Sequence, residues 1–400
     1  MRVLIVSWEY PPVIEGGLGR HVRKLSEQLA CDGVEVHVLT RGSFAEEERH
    51  GVVVHRVPEP PFPKDVSAFV RWVAAMNADM FALGLELGDF DLVHSHDWLV
   101  ADAARRLARR LRRPWLVTVH ATEYGRHQGW VQHHPQSYIH AAEREMVRDA
   151  DAVVTCSRFM RIHVASIFGI PPAGVTVIPN GIDPSDLHPV ADDLDALRAR
   201  FAAPEERLVL LVGRLVYEKG FHVALDAIAP VAKRLGNLRF VVAGTGTAET
   251  ELKRQARRLG LRQRGTFLGW VGDDMLHSLY RVAEVVVVPS IYEPFGLVAL
   301  EAMASGCVCI VADTGGLREI VMPHGRFPSR DAGALGALLE RLLTDDEARA
   351  RTVAEARDHI LRFDWAEVAR RTAEVYEALC GSKNVERHAV RGATTDKSAL

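Results

Sequence analysis

Short apolar runs rich in β-branched residues alternate along this chain with longer stretches whose apolar positions recur every three or four residues. The first kind of run reads as a buried strand and the second as an amphipathic helix. In the first half the strand-like runs fall at residues 3–8, 34–40, 52–57, 92–95, 116–120 and 152–155. Between the first two, Leu18, Val22, Leu25 and Leu29 mark one buried helical stripe. A second series, at residues 208–212, 240–243, 266–268, 285–288 and 308–311, follows the turn punctuation Ile178-Pro179-Asn180-Gly181-Ile182-Asp183. Regular alternation of this kind predicts βαβ units and parallel sheets. The expected fold class is therefore α/β, with two doubly wound domains at residues 1–179 and 180–362. A last helix opens at Phe363-Asp364-Trp365 and is expected to end near residue 380. Residues 381–400 mix charge with Ser and Thr and read as a loose tail.

Length and composition agree with two ordinary globular cores. The chain has 400 residues, 48% of them apolar and 25% charged, and single cores usually stop growing well below that length. A net charge of -3 lacks the basic excess of a phosphate-backbone binder, so nucleic acid is not an expected partner. No apolar run approaches the roughly 20 residues that span a bilayer. The N-terminus lacks a signal-cleavage pattern and reads as a first strand, which makes the cytoplasm the default location. Cys31, Cys156, Cys307, Cys309 and Cys380 are odd in number and scattered, which argues against a disulfide framework. Cys307 and Cys309 alternate in a strand-like run and read as core thiols.

Candidate chemistry gathers at strand ends, where open α/β sheets bind ligands. Gly16-Gly17-Leu18-Gly19 follows the first strand, and such a turn lets backbone amides approach a phosphate. Gly213-Arg214-Leu215-Val216-Tyr217-Glu218-Lys219-Gly220 follows the first strand of the second domain. There Arg214 offers a planar fork and Lys219 a point charge to one diphosphate. Ser290-Ile291-Tyr292-Glu293-Pro294-Phe295-Gly296-Leu297 leads to Glu301. With Pro294 at the first helical position, Glu293 lies at the helix mouth and the amides of Phe295, Gly296 and Leu297 face the ligand. Glu301 lies two turns deeper, and both carboxylates can accept from vicinal hydroxyls. In the first domain His96-Asp97-Trp98 and His120-Ala121-Thr122-Glu123-Tyr124 sit at strand tips, a mixture suited to sugars. Gly244-Thr245-Gly246 reads equally as a nucleotide border or as a plain turn.

Taken together, Gly16-Gly17, Arg214 with Lys219, Asn180-Gly181-Ile182-Asp183 and the Glu293-x7-Glu301 element resemble retaining glycosyltransferase family 4 over about residues 1–380. Ser7-Trp8-Glu9-Tyr10-Pro11-Pro12 and His120-Ala121-Thr122-Glu123 resemble its bacterial glycogen-synthase-like branch. The resemblance implies the GT-B architecture, with residues 363–380 as a closing helix that crosses back to the first domain. It implies transfer of glucose from ADP- or UDP-glucose to a glucan or oligosaccharide hydroxyl, forming α-1,4 links. Arg214 and Lys219 would hold the diphosphate, Gly16 and Gly17 bring amides to it, Glu293 with Phe295, Gly296 and Leu297 hold the sugar, and Glu301 the ribose. Asp97 and His120 would line the transferred sugar. No metal or other cofactor is implied, because the two cations take that role.

Other features read as bland. Asp89-Phe90-Asp91 spells a metal-associated Asp-x-Asp but precedes a strand, at the wrong end for a ligand, and reads as a solvated turn. Arg105, Arg106, Arg109, Arg110, Arg112 and Arg113 read as the solvated face of a helix, although a basic helix around Arg105–Arg113 would also permit membrane contact. Three alternatives stay open: a small-molecule or lipid-linked acceptor with another sugar, a sugar-nucleotide epimerase, and a non-catalytic nucleotide-sugar-binding subunit.

Overall fold

The computed structural model describes residues 1–13, 16–42, 47–59, 63, 65–187 and 193–394. The chain forms two units: residues 1–181 together with 365–400, and residues 182–364. In the first unit the strands are β1 (Arg2–Val6), β2 (Glu35–Arg41), β3 (Glu47–Arg49), β4 (Val52–Val57), β5 (Leu92–His96), β6 (Trp115–Val119), β7 (Ala152–Thr155) and β8 (Val175–Val177). They form one sheet in the order β3-β4-β2-β1-β5-β6-β7-β8, parallel except where β3 meets β4. The near-continuous burial of β1, β2, β5 and β6 is what helices on both faces of a parallel sheet require.

The second unit carries β9 (Arg207–Val212), β10 (Leu238–Ala243), β11 (Gly265–Gly269), β12 (Val285–Val288), β13 (Val308–Ala312) and β14 (Arg326–Phe327), in the order β11-β10-β9-β12-β13-β14. All its pairings are parallel. Its core is built from Val209, Leu211, Val285, Val287 and Ile310 with Leu225, Ile228 and Leu339 of the covering helices. Cys307 and Cys309 are buried there as free thiols, and burial pushes Cys307 up to about 12. In each sheet the strand order reverses once, between β1 and β5 and between β9 and β12. Loops leaving the carboxyl ends of those strands diverge at such a point and open a crevice.

Several expectations change. The last helix runs Trp365–Thr394, so backbone expected as loose tail after residue 380 is helical as far as Thr394; residues 395–400 lie outside the described residues. Trp365, Val368, Ala369 and Tyr376 are buried with Val3, Ile5, Val22 and Leu25, and this apolar stripe ties the helix to the first unit. The helix Val66–Glu86 includes a segment, Ala68–Glu86, long and apolar enough to cross a membrane by length and composition, with mean hydropathy 1.2. Its Trp72, Val73, Met76, Asn77 and Met80 are buried. Asn77 donates to the carbonyls of Val73 and Leu99 and accepts from the Ala103 amide, a pattern that locks the helix into the first unit.

The arginine run lies on the helix Ala101–Leu111, whose buried face is Ala101, Ala103, Ala104, Leu107 and Ala108. Arg105 pairs with Asp102 and Asp149, Arg106 with Asp102, and Arg109 with Asp149. These carboxylates offset much of the positive face. Asp89-Phe90-Asp91 is more than a solvated turn: Phe90 is buried, Asp91 accepts from the Arg2 amide, and the Arg2 guanidinium donates to the Asp89 carbonyl.

Candidate active site

Within the second unit, the loops after β9 and β12 meet at the point where strand order reverses. The Ile291 and Tyr292 amides both donate to the Glu218 carbonyl, at 2.8 and 3.3 Å. Gly220 adopts φ 67° between the turn Tyr217–Lys219 and the helix Phe221–Leu235, and a Cβ there would fall on the Pro289 carbonyl. Glycine is therefore required for the loops to approach. Their contact brings Lys219 Nζ to 2.8 Å from Glu293 Oε2, which also accepts from Ser290 Oγ at 3.0 Å. Arg214 stands on the same loop, with Nη2 3.5 Å from Glu218 Oε1 and its side chain 54% exposed.

The approach to Glu293 differs from expectation. The helix begins at Leu297, with Gly296 preceding it at φ 119°, so Pro294 is not its first residue and Glu293 stands in the loop before it. The reason is the neighbouring loop after β13: the Gly316 amide donates to the Glu293 carbonyl, and Leu317 packs where a side chain on residue 296 would go. Phe295 is buried against Phe363. The amides of Phe295, Gly296 and Leu297 donate to no partner among the described residues, so they can serve an oxygen-rich ligand. Glu301 is buried in the helix Leu297–Ala304 and accepts from Tyr280 Oη at 2.9 Å. Gly244 belongs to the same end of the sheet. Its amide donates to Gly269, and a Cβ on it would strike the Gly213 carbonyl.

In the first unit the glycine turn is already engaged. The helix Gly17–Cys31 starts one residue after Gly16, and the Glu9 carboxylate accepts from the Gly16 and Gly19 amides at 3.0 and 3.3 Å. A helix N-terminus attracts an anion, and here the buried Glu9 supplies one. This corrects the expectation that Gly16 offers a vacant amide to a phosphate. Gly17 opens the helix beside it.

Across the strand-order reversal, Asp97 and His120 follow β5 and β6. Asp97 has φ 60°, a strained position for a non-glycine residue and of the kind that gathers at functional sites. It is held there by purpose-built contacts: Asp97 Oδ1 accepts from the His120 amide at 2.7 Å, and its own amide donates to Thr118. Burial raises its carboxyl to about 6, against the lowering pull of Arg126. His120 Nε2 lies 2.9 Å from His96 Nδ1. Around this pair stand His21, whose ring centroid is 4.7 Å from that of His120, and His94, 4.3 Å from His96. Burial holds His21, His94 and His96 well below the usual imidazole range and His120 at about 4.

Sequence reasoning named His120, Asp97 and His96 at the strand tips but missed Glu9, His21, His94 and Glu143. His94 and His96 are two apart on β5, so they share a face, and that signal was readable. Glu143 had no local signal. It reaches from the helix Gln136–Asp149 to accept from the Glu123 amide at 2.8 Å, and its Oε2 is buried with no partner among the described residues. Burial raises this carboxyl to about 8.

Ligand nitrogens of His21, His96 and His120 all lie within 4.8 Å of one another. Imidazoles that bind metal usually donate the other ring N–H to a carboxylate or carbonyl. Here His96 Nε2 has no such partner among the described residues, so the set has the ligand types of a transition-metal site with at least one ring that no such group orients.

The titrations give opposite slopes. The buried imidazoles refuse protons that unfolded histidines accept, so their contribution to stability is lost as pH falls from about 6.5 towards 4. Glu143 is the reverse: its folded carboxyl keeps a proton that the unfolded one releases, so stability falls as pH rises through about 8. Glu143→Gln, which keeps an acceptor for the Glu123 amide, is expected to flatten the decline in Tm between about pH 6 and 8.5. Thermal melts of both proteins across that range check it; parallel curves would contradict it.

Two family models match the chain: "Glycosyltransferase Family 4" over residues 15–186 and "Glycosyl transferases group 1" over residues 194–359. A glycogen synthase of Mycobacterium tuberculosis is 39% identical across 94% of this chain and 95% of its own length. A D-inositol 3-phosphate glycosyltransferase of Stackebrandtia nassauensis is 31% identical across 92% of this chain and 89% of its own. Among solved structures, a sucrose-phosphate synthase from Thermosynechococcus elongatus superposes with TM-score 0.80 at 26% identity, covering 95% of this chain and 99% of that one.

Proposed function

The chain belongs to glycosyltransferase family 4, on its glycogen-synthase-like side, and from that membership we propose that it transfers glucose from ADP- or UDP-glucose to a hydroxyl of a glucan or oligosaccharide, forming α-1,4 links. It is a GT-B glycosyltransferase; the donor, acceptor and linkage are the proposal. The observation that carries the reading is the Lys219–Glu293 pair, 2.8 Å apart, where the β9 and β12 loops touch. A cation fit for a diphosphate there adjoins a carboxylate fit for sugar hydroxyls.

The chemistry follows from charge. As the bond between the anomeric carbon and the diphosphate breaks, negative charge grows on the leaving oxygen, and Arg214 with Lys219 stabilises it. Glu293 and the amides of Phe295, Gly296 and Leu297 hold the sugar, and Glu301 the ribose. The acceptor hydroxyl forms the new bond on the face the diphosphate leaves, and its proton passes to the leaving phosphate. Configuration is thereby retained with no protein nucleophile. Asp97 and His120 are assigned to the transferred sugar. The two cations make a divalent metal unnecessary in this scheme.

A second reading, a phosphorylated small acceptor, is favoured by the D-inositol 3-phosphate glycosyltransferase relative, whose name specifies such a substrate. The test is a screen of ADP- and UDP-sugars against maltooligosaccharides, hexose phosphates and inositol phosphate, with mass and linkage analysis of products and a parallel arm in chelator. Glucose added in α-1,4 linkage to maltooligosaccharides, equally fast with chelator, is expected. Exclusive use of a phosphorylated acceptor replaces the first reading with the second, and loss of activity in chelator removes the metal-independent scheme.

A further inference from the structure

The proton arrangement among the buried histidines determines what His120 can present to a ligand. His94 spends both ring nitrogens within the first unit, Nδ1 on Tyr376 Oη at 2.7 Å and Nε2 on Thr118 Oγ1 at 2.8 Å. His96 is fully buried and has one polar side-chain partner among the described residues, His120 Nε2, 2.9 Å from its Nδ1. Its Nε2 meets no partner among the described residues. His120 Nδ1 likewise makes no hydrogen bond among them, and His120 is the less buried of the two.

Burial keeps both rings neutral, so each carries one N–H and one bare nitrogen. Only two arrangements satisfy their contact. In one, His120 Nε2–H donates to His96 Nδ1, and His96 must then bury an N–H with no acceptor. In the other, His96 Nδ1–H donates to His120 Nε2, and the buried atom left over is a bare lone pair. Orphaned buried N–H groups are the rarer defect in native proteins, which favours the second arrangement. The proton of His120 then resides on Nδ1.

We propose that His96 is a positioning residue that fixes His120 as an Nδ1–H donor, so that His120 offers a hydrogen bond to a sugar oxygen rather than a base to the acceptor hydroxyl. The inference rests on the assignment of His120 to the transferred sugar. It also accounts for how a histidine can stand beside the reacting sugar without competing with the leaving phosphate for the acceptor's proton.

Long-range proton–nitrogen NMR on the intact 15N-labelled protein tests it, with His120 assigned by the signals lost in His120→Ala. The expected pattern is a protonated Nδ1 and a bare Nε2; the reverse pattern overturns the proposal whatever the variants do. Asn places an amide donor near the position of Nδ1, so His96→Asn is expected to keep kcat within about threefold. His96→Leu is expected to lower kcat by about 10- to 100-fold with KM for the donor changed less than about threefold. Equal kcat for His96→Leu and the native protein would overturn it. Full turnover by His120→Ala would instead sink the assignment of His120 to the sugar, and the NMR pattern would still report the tautomer, so the two failures are distinguishable.

Discussion

Lys219→Ala is expected to lower kcat by about 100- to 1000-fold, the usual cost of removing one preorganised group that stabilises charge in a transition state. The ammonium lies 2.8 Å from Glu293, with the two side chains only 21% and 13% exposed. The substitution therefore also leaves a largely buried carboxylate with Ser290 as its remaining hydrogen-bond partner among the described residues, and Glu293, no longer neutralised by the ammonium, would repel the diphosphate. Lys219→Arg is not expected to restore the rate, because a planar fork cannot replace a compact point charge in that gap. Steady-state kinetics on variants whose melting matches the native protein check this. A Lys219→Ala enzyme within about tenfold of native kcat would remove Lys219 from the leaving-group role.

Gly220→Ala should be nearly as damaging for a different reason. Its φ of 67° already disfavours a side chain, and the new Cβ would fall on the Pro289 carbonyl. The β9 and β12 loops would have to separate, breaking the bonds from Ile291 and Tyr292 to Glu218. Strain and lost hydrogen bonds together are expected to cost about 3 kcal/mol or more. Activity should fall with the displacement of Lys219 from Glu293. A melting curve with an activity assay on the same sample checks both, and a native-like Tm would show that the loops tolerate separation. Gly174→Ala makes the control, since a Cβ there meets nothing within 4 Å among the described residues and no left-handed φ is required.

The parts of this molecule that could be read from sequence are those governed by short-range periodicity. Runs such as Leu208 to Val212 and Val285 to Val288 declared themselves as strands because both of their faces are apolar. Their tips then pointed to Arg214, Lys219 and Glu293. What escaped was set by contacts between distant segments. Nothing near Pro294 shows that the loop after β13 delays helix formation to Leu297. Nothing near Gly16 shows that Glu9 turns back to its amide. Glu143 acts on Glu123 from 20 residues away, and periodicity cannot report a buried carboxyl whose partner is a backbone amide on another element. The end of the last helix was missed because polar residues beyond 380 carry no burial signal, although their backbone can still be helical.

The membership of the helix Trp365–Thr394 in the first unit makes residues 182–364 an insertion within another unit's chain. During synthesis the inserted unit is complete when Asp364 emerges, while the earlier-made sheet still lacks Trp365, Val368, Ala369 and Tyr376 from its core. The later segment of the polypeptide therefore acquires its full set of native contacts first. The N-terminal half, made first, completes its core last, because the apolar face that Trp365, Val368, Ala369 and Tyr376 cover lacks those contacts until the last helix is made.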